Sequence, residues 1–299
     1  MQIMGDRDKL REAGSIASQV MESTLKKVKE GAKLLDVSVY AEGLIGELGA
    51  EPAFPINISI NERAAHYTPD IDDDSVFKKG ELVKVDIGVH VDGYIGDIER
   101  SKAIGGGHKE LIKAAEEALE NAINTIKPGV RTNEVGGVVE KTIKGYGFLP
   151  VSNLTGHMLT EWNLHGGVTV PNVETMHGYK FQNGDVFALE PFSTDGAGKV
   201  GDEPKAMIFR FLQDKPLRMR EARIINDFVK ENYKTLPFAE RWIAGLVPKF
   251  KLGLALRQLV STGVFHAYHV LKEKENGVVA QAENTIRVTS SGCEILTKH

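Results

Sequence analysis

The sequence predicts an α+β fold: a curved, mostly antiparallel sheet, built from an internal repeat with pseudo-twofold symmetry and covered by helices. Three observations predict it. Helix-period apolar patterns alternate with strand-rich runs along the chain, and two of these segments reappear about 100 residues later. Composition is that of an ordinary globular protein, 41% apolar and 26% charged over 299 residues, enough to build one large core or two domains.

Residues 6 to 29 place Leu10, Ala13, Ile16, Val20, Met21, Leu25 and Val28 at the spacing of an amphipathic helix, which Gly31 stops. Asp36 reads as the cap of a second helix running to about Leu48 and ending at Gly49. LVKVDIGVHV and YIGDIERSKAI are β-rich runs on either side of Asp92-Gly93, a strong hairpin signal. Residues 108 to 127 return to helical spacing, Pro128-Gly129 stops them, and Thr132 reads as the cap of a helix ending near Gly145-Gly147. From 215 to 258, ten Lys or Arg stand against four Asp or Glu, with helical periodicity in INDFVKENY and FKLGLALRQLVSTG. This +6 segment has no counterpart in the first half, so it reads as a helical insertion, about 215–265, within one domain spanning 1–299. Residues 277 to 289 and 294 to 297 are strand-like and complete the sheet.

The repeat is specific. Lys29-Glu30-Gly31 through Asp36-Val37 matches Lys127-Pro128-Gly129 through Glu134-Val135 at an offset of 98, and Gly49 and Pro52 find Gly147 and Pro150. Gly80 through Asp86 matches Gly184 through Glu190 at an offset of 104, which superposes the two acids. A site built from the repeat belongs on its axis.

Composition excludes several classes. A net charge of −4 argues against a general polyanion binder. The single cysteine, Cys293, excludes internal disulfides, Cys-based zinc knuckles and iron–sulfur clusters. The start MQIMGDRDKLREAG carries charges where a signal peptide needs an apolar stretch, and no run approaches the ~18 apolar residues of a membrane span. A cytoplasmic protein, monomeric and without membrane contact, is expected.

With Asp92-Gly93 as a two-residue turn, Val91 faces Tyr94, Gly88 faces Asp97 and Asp86 faces Glu99. Asp86 and Asp97 then share one face as diagonal neighbours roughly 7 to 8 Å apart. Asp86, Glu190 and Glu283 all stand in apolar runs, where an unpaired buried carboxylate is penalised. Each alone also fits an edge strand with its acid in water. Four carboxylates in one site would repel by roughly 4 kcal/mol per pair at 4 Å and an effective dielectric near 20. Lys or Arg could neutralise them, but these strands offer few inward-facing bases, whereas two divalent cations balance four charges. Oxygen-rich ligation with an imidazole suits Mn, Fe, Co or Zn. His157, in SNLTGHM, is the candidate imidazole; His66 and His165, offset by 99, are candidate repeat partners. His90, His108, His177, His266, His269 and His299 read as ordinary surface or core histidines. No HExxH or GxSxG occurs, which removes the thermolysin-like and α/β-hydrolase routes.

Asp86 and Asp97, then His157, Glu190 and Glu283, resemble in order and context the metal ligands of the pita-bread metallopeptidases. PAFPINISINERAAHYTP, KVDIGVHVDGYIGD, LTGHM, VFALEPF and AENTIRV are together similar to the methionine aminopeptidase family, from residue 6 to the end. The spacing of Glu190 and Glu283 around a helical insertion resembles the type II subfamily. The resemblance implies a pita-bread fold and an aminopeptidase that removes the initiator methionine from nascent proteins and peptides, preferring a small second residue. It implies two divalent metal ions, of Co, Mn, Fe or Zn, activating a bridging hydroxide. Asp86 would chelate one ion, Asp97 and Glu283 would bridge, and His157 and Glu190 would complete the other, Glu190 also resembling the general base. His66 and His165 would donate hydrogen bonds to the peptide and the tetrahedral intermediate, and Phe54, Pro55, Asn57 and Leu164 would line the methionine pocket. The sequence departs from the family pattern at Ile98, where Thr is usual, and at Asn284, where His is usual. Prolidases and non-enzymatic binding modules share the fold and are the competing readings. The basic insertion offers a surface for ribosomal RNA; the plainer reading is a solvated helical face.

Overall fold

The computed structural model describes residues 6–298, so residues 1–5 and His299 lie outside the described residues. Helices α1 (Asp6–Leu25) and α2 (Leu34–Glu47) lead through β1 (Glu51–Pro52), β2 (Asn57–Ile60) and β3 (Arg63–Ala65) into the hairpin β4 (Leu82–Val91) and β5 (Tyr94–Ala103). Next come α3 (Lys109–Thr125), α4 (Thr132–Gly145), β6 (Leu149–Pro150), β7 (Thr155–Met158), β8 (Thr169–Pro171), β9 (Val186–Leu189) and β10 (Phe192–Thr194). The last third holds β11 (Val200–Phe211), α5 (Arg220–Asn232), β12 (Phe238–Ala239), α6 (Glu240–Ile243), α7 (Lys249–Ser261), β13 (Phe265–Glu273), β14 (Val279–Val288) and β15 (Cys293–Ile295).

The hairpin register is the one the sequence implies: Val91 pairs with Tyr94, Gly88 with Asp97 and Asp86 with Glu99. Asp92 and Gly93 both take positive φ, 48° and 86°, the primed turn whose twist matches the flanking strands. Two helix starts differ from expectation. Lys33 and Arg131, not Asp36 and Thr132, precede α2 and α4. Each is held extended by an isolated bridge, Lys33 to Val76 and Arg131 to Lys180, so tertiary pairing sets the start. Asp36 instead sits in the first turn of α2, where its charge favours the helix dipole.

Those two bridges carry the sequence offsets themselves, 131 − 33 = 98 and 180 − 76 = 104. The duplication runs beyond the segments whose sequences match. Gly80 N–H donates to Ile104 O at 2.7 Å, and its repeat mate Gly184 donates to Val288 O at 2.9 Å. Residues of β5 therefore map onto β14 at 288 − 104 = 184, which makes Glu99 the repeat mate of Glu283.

Eleven strands form the main sheet, whose central path is β1-β4-β5-β14-β9-β7-β8 with antiparallel neighbours. Val83, Val85, Ile87 and Val89 of β4 join α1 and α2 in one apolar cluster; Phe187, Leu189, Ala282 and Ile286 join α3 and α4 in its counterpart. Alternation along the strands turns Asp86, Gly88, Asp97 and Glu99 to the opposite face.

Not every strand belongs to the main sheet. A second, four-stranded sheet, β12-β11-β13-β3, frames the expected insertion. Its helices α5, α6 and α7 bury Ile225, Val229, Leu256 and Leu259 against Phe209, Phe238 and Phe265. β11 lacks a clean alternation, the polar VGDEPK being followed by the continuous apolar run AMIF, which is why the strand escapes a pattern search. Part of the segment's positive charge is partnered, Lys230 by Asp214, Lys249 by Asp72 and Lys251 by Glu221. Among the described residues no helix is long and apolar enough to cross a membrane.

Candidate metal centre and substrate pocket

The two central strands of the main sheet, β5 and β14, pair directly at Glu99 and Glu283, and Asp86 pairs with Glu99 from the other side. Three acids therefore lie in one cross-strand row, Asp86–Glu99–Glu283. Asp97 stands two residues from Glu99 on the same face. His157 enters from β7, held opposite Ala188 of β9, and Glu190 follows the end of β9.

A pocket of roughly 500 Å³ of open space joins Asp86, Asp97, His157, Glu190 and Glu283 with Phe54, Asn57, His66, Leu164 and His165. Pro55 is the exception among the sequence candidates: it is buried beside Phe54 but outside the lining. His157 Nε2 lies 3.3 Å from Glu190 Oε1 and 3.8 Å from Asp97 Oδ2. Donor atoms of Asp97, His157 and Glu283 all lie within 4.8 Å of one another. Asn57 donates to Asp86 at 3.2 Å, and Gln281 Nε2 reaches Glu190 and Glu283, each at 3.4 Å.

The acids are neither dispersed nor paired with arginine. Arg100 turns to the carbonyls of Glu99 and Glu283 and to Asn284 Oδ1. Among the few inward-facing bases on these strands is Lys84, two residues from Asp86 on β4. Fully buried, it gives its ammonium to the carbonyls of Asn61 and Val279, at 3.1 and 2.7 Å, and to none of the site carboxylates. Burial brings Lys84 down to about 7. Burial, reinforced by neighbouring carboxylates, holds Asp97, Glu190 and Glu283 well above the usual carboxyl range, and burial takes Asp86 to about 7. Asp86 Oδ1 and Asp97 Oδ1 are buried without a hydrogen-bond partner. Such orphaned oxygens, beside an imidazole and further carboxylates, fit divalent cations.

The residues not singled out from sequence fall into two groups. Glu99 is fully buried in the acid row, with Oε2 unpartnered, and the hairpin register that aligned it with Asp86 was already a signal for it. Ile208, Pro237 and Tyr268 complete the pocket from the second sheet and its helical segment, and no local pattern marks them. Asn284, one of the two departures from the family pattern, accepts from Arg100 on the face away from the acids.

His66 takes a left-handed backbone conformation, φ 64°, and its Nδ1 lies 3.1 Å from His269 O. A carbonyl only accepts, so the proton of the neutral ring is at Nδ1 and Nε2 keeps its lone pair. Burial lowers His66 to about 4, leaving the ring neutral near pH 7. His165 is exposed, its ring 4.5 Å from that of His157 and 6.1 Å from Tyr268.

Residues 8–290 match the sequence model of metallopeptidase family M24. The chain belongs to that family. This M24 chain is 49% identical over 295 residues to a methionine aminopeptidase of Thermococcus kodakarensis, covering 98% of the chain and 100% of the relative. It is 45% identical over 291 residues to a methionine aminopeptidase of Methanocaldococcus jannaschii, covering 97% and 98%. The structure of a methionine aminopeptidase from Thermotoga maritima superposes with a TM-score of 0.73 at 22% identity, covering 100% of this chain and 98% of that one, a likeness of fold. The M24 pita-bread fold and a buried Asp–His–Glu cluster thus meet in one metallopeptidase.

Proposed function

We propose that this protein is a type II methionine aminopeptidase, removing the initiator methionine from nascent proteins and peptides with a small second residue. The observation that carries the reading is one pocket holding four carboxylates, Asp97 and Glu283 buried and Asp86 and Glu190 half-buried, with an imidazole and no Lys or Arg paired to them, beside the apolar walls Phe54, Leu164 and Ile208. Asp86 would hold one divalent cation, Asp97 and Glu283 would serve both, and His157 and Glu190 the other; Co, Mn, Fe or Zn suits these donors. When bound, the ions polarise the scissile carbonyl and acidify water. Glu190 takes the proton released by the attacking water and returns it to the departing amide nitrogen. His66 differs from the donor role expected from the sequence. With Nδ1–H committed to His269 O, its Nε2 accepts the substrate peptide N–H. His165, exposed beside His157, would donate to the oxygen that gains charge in the tetrahedral intermediate. Phe54, Leu164 and Ile208 receive the thioether side chain, and Asn57 fixes Asp86.

We read the protein as a cytoplasmic monomer comprising one domain with the 215–265 insertion. Release of methionine from Met-Ala-Ser, compared with Leu-Ala-Ser and an Ala-Pro peptide in Mn or Co, tests the activity; equal or absent methionine release would defeat it. Asp97→Asn should lose both metal occupancy and turnover, and retained activity would remove Asp97 from its shared position. Metal analysis of protein purified without chelator identifies the ions. Salt-insensitive ribosome co-sedimentation, or no effect of Lys→Glu at Lys230, Lys234 and Lys249, would dismiss a ribosomal role for the insertion.

A further inference from the structure

The wall of the pocket continues beyond the residues that line it. In the second sheet Ile208 pairs with Tyr268, and Arg210 pairs with His266. Ile208 and Tyr268 line the pocket. Residues two apart share a strand face, so Arg210 and His266 extend that wall, from buried Ile208 to half-buried Arg210 and exposed His266. The His266 ring meets Tyr268 edge-on at 4.7 Å. The positive charge of Arg210 also acts on His165, at the same mouth, and on Tyr268.

Arg210 differs from the other arginines buried near the pocket and the insertion. Arg100 and Arg241 have their terminal nitrogens engaged, the first by two carbonyls and Asn284, the second by Glu42, Thr68 and the Pro69 carbonyl, although Arg241 Nε is itself without a partner. The Arg210 side chain makes no hydrogen bond or ion pair among the described residues, and its Nε is shut off from water without a partner. A guanidinium is always charged and its planar fork matches a carboxylate. A carboxylate meeting the terminal nitrogens of Arg210, which are not among the buried atoms, would supply a counter-charge with no internal bond to displace.

We propose that Arg210, with His266 beside it, is a specificity-determining subsite that reads a carboxylate on the substrate beyond the scissile bond. Arg210 lies about 7 Å along the strand from Ile208, the span of about two extended residues. A peptide held by its first residue in the pocket therefore brings its third residue to this pair. The carboxylate is either an acidic side chain at that position or the free C-terminus of a tripeptide. The inference rests on the methionine-releasing reading above.

The test compares kcat/KM for Met-Ala-Glu-amide, Met-Ala-Gln-amide and Met-Ala-Gln free acid, in wild type, Arg210→Met and Arg210→Lys, at low salt and in 0.5 M KCl. Wild type should favour a carboxylate-bearing peptide over Met-Ala-Gln-amide by about tenfold at low salt, mostly through KM, and by less at high salt as screening grows. Preference for the Glu peptide assigns the side chain; preference for the free acid assigns the C-terminus. The ratio should fall below about twofold in Arg210→Met and recover in part in Arg210→Lys. Equal kcat/KM for all three peptides in wild type, or a preference that survives Arg210→Met, would overturn the subsite while leaving methionine release intact. Absence of methionine release from every peptide would overturn both.

Discussion

Gly88 is the position where a single methyl group should separate the substrate pocket from the metal centre. It faces Asp97 across the hairpin, and the Phe54 ring occupies the space its side chain would take. A Cβ at Gly88 would stand 2.8 Å from Phe54 Cζ and closer still to Cδ1 and Cε1. Carbon contacts relax to about 3.5–4.0 Å, so the ring must recede by about 1 Å or more. It has little room to do so: Phe54 is 4% exposed and packs with Ile95, Leu159 and Leu164. Overpacking of this kind costs about 1–3 kcal/mol. At about 2–4 °C per kcal/mol for a chain of this size, Gly88→Ala should lower Tm by roughly 3–10 °C. Pushed towards Leu164, the ring narrows the apolar pocket, so KM for a Met-Ala substrate should rise by about five- to tenfold. The metal content should stay at the wild-type level, since the three atoms nearest the added methyl all belong to Phe54. Adding Phe54→Leu should relieve the clash, giving a double-mutant coupling of about 1 kcal/mol or more in Tm and KM. Wild-type KM and Tm in Gly88→Ala, or strictly additive effects in the double variant, would refute the claim that glycine is required there to seat the ring.

Two further outcomes follow from the same geometry. Removing metal with EDTA should make stability fall as pH rises from about 5 to 7.5. The native carboxyls, raised in pKa, hold protons that the unfolded chain has lost, so their contribution is full below the unfolded value near 4 and is lost through the folded value, about 7 for Asp86. Cations replace those protons, and the Tm difference between Mn-loaded and EDTA-treated protein should widen across that window; a constant difference would show that these acids are not the ligands. Arg241→Met should cost about 3–5 kcal/mol in thermal denaturation, because it leaves Glu42 of α2 nearly buried with only Trp242 and a backbone N–H for company. A loss under 1 kcal/mol would mean that the helical segment is not anchored to α2 through this pair.

Much of the centre was legible because its parts are local or repeated. The Asp92-Gly93 turn fixes the parity of β4 and β5, and parity alone places Asp86 and Asp97 on one face. The 104-residue offset aligns Glu190 with Asp86 without any knowledge of packing. Glu99 was equally legible from the same register and was passed over, because one acid in GDIERS carries no apolar context on its C-terminal side. The helix starts at Lys33 and Arg131 were not legible, since their bridges come from residues 43 and 49 positions downstream. Nor was the tautomer of His66, which depends on a carbonyl about 200 residues away.

By itself, then, the chain specified its strand faces, its duplicated halves and the acids that crowd the repeat axis, because periodicity and turn chemistry act over a few residues and a duplication copies them. Folding decided what surrounds those acids. The second sheet brings Ile208 and Tyr268 to the pocket and Arg210 to its rim, and through His269 it fixes which nitrogen of His66 carries its proton; the turn after β2 and the start of β14 bury Lys84 against carbonyls rather than beside the carboxylates. Each of these rests on contacts between residues far apart in sequence, whose energies depend on distance in space and leave no periodic trace along the chain.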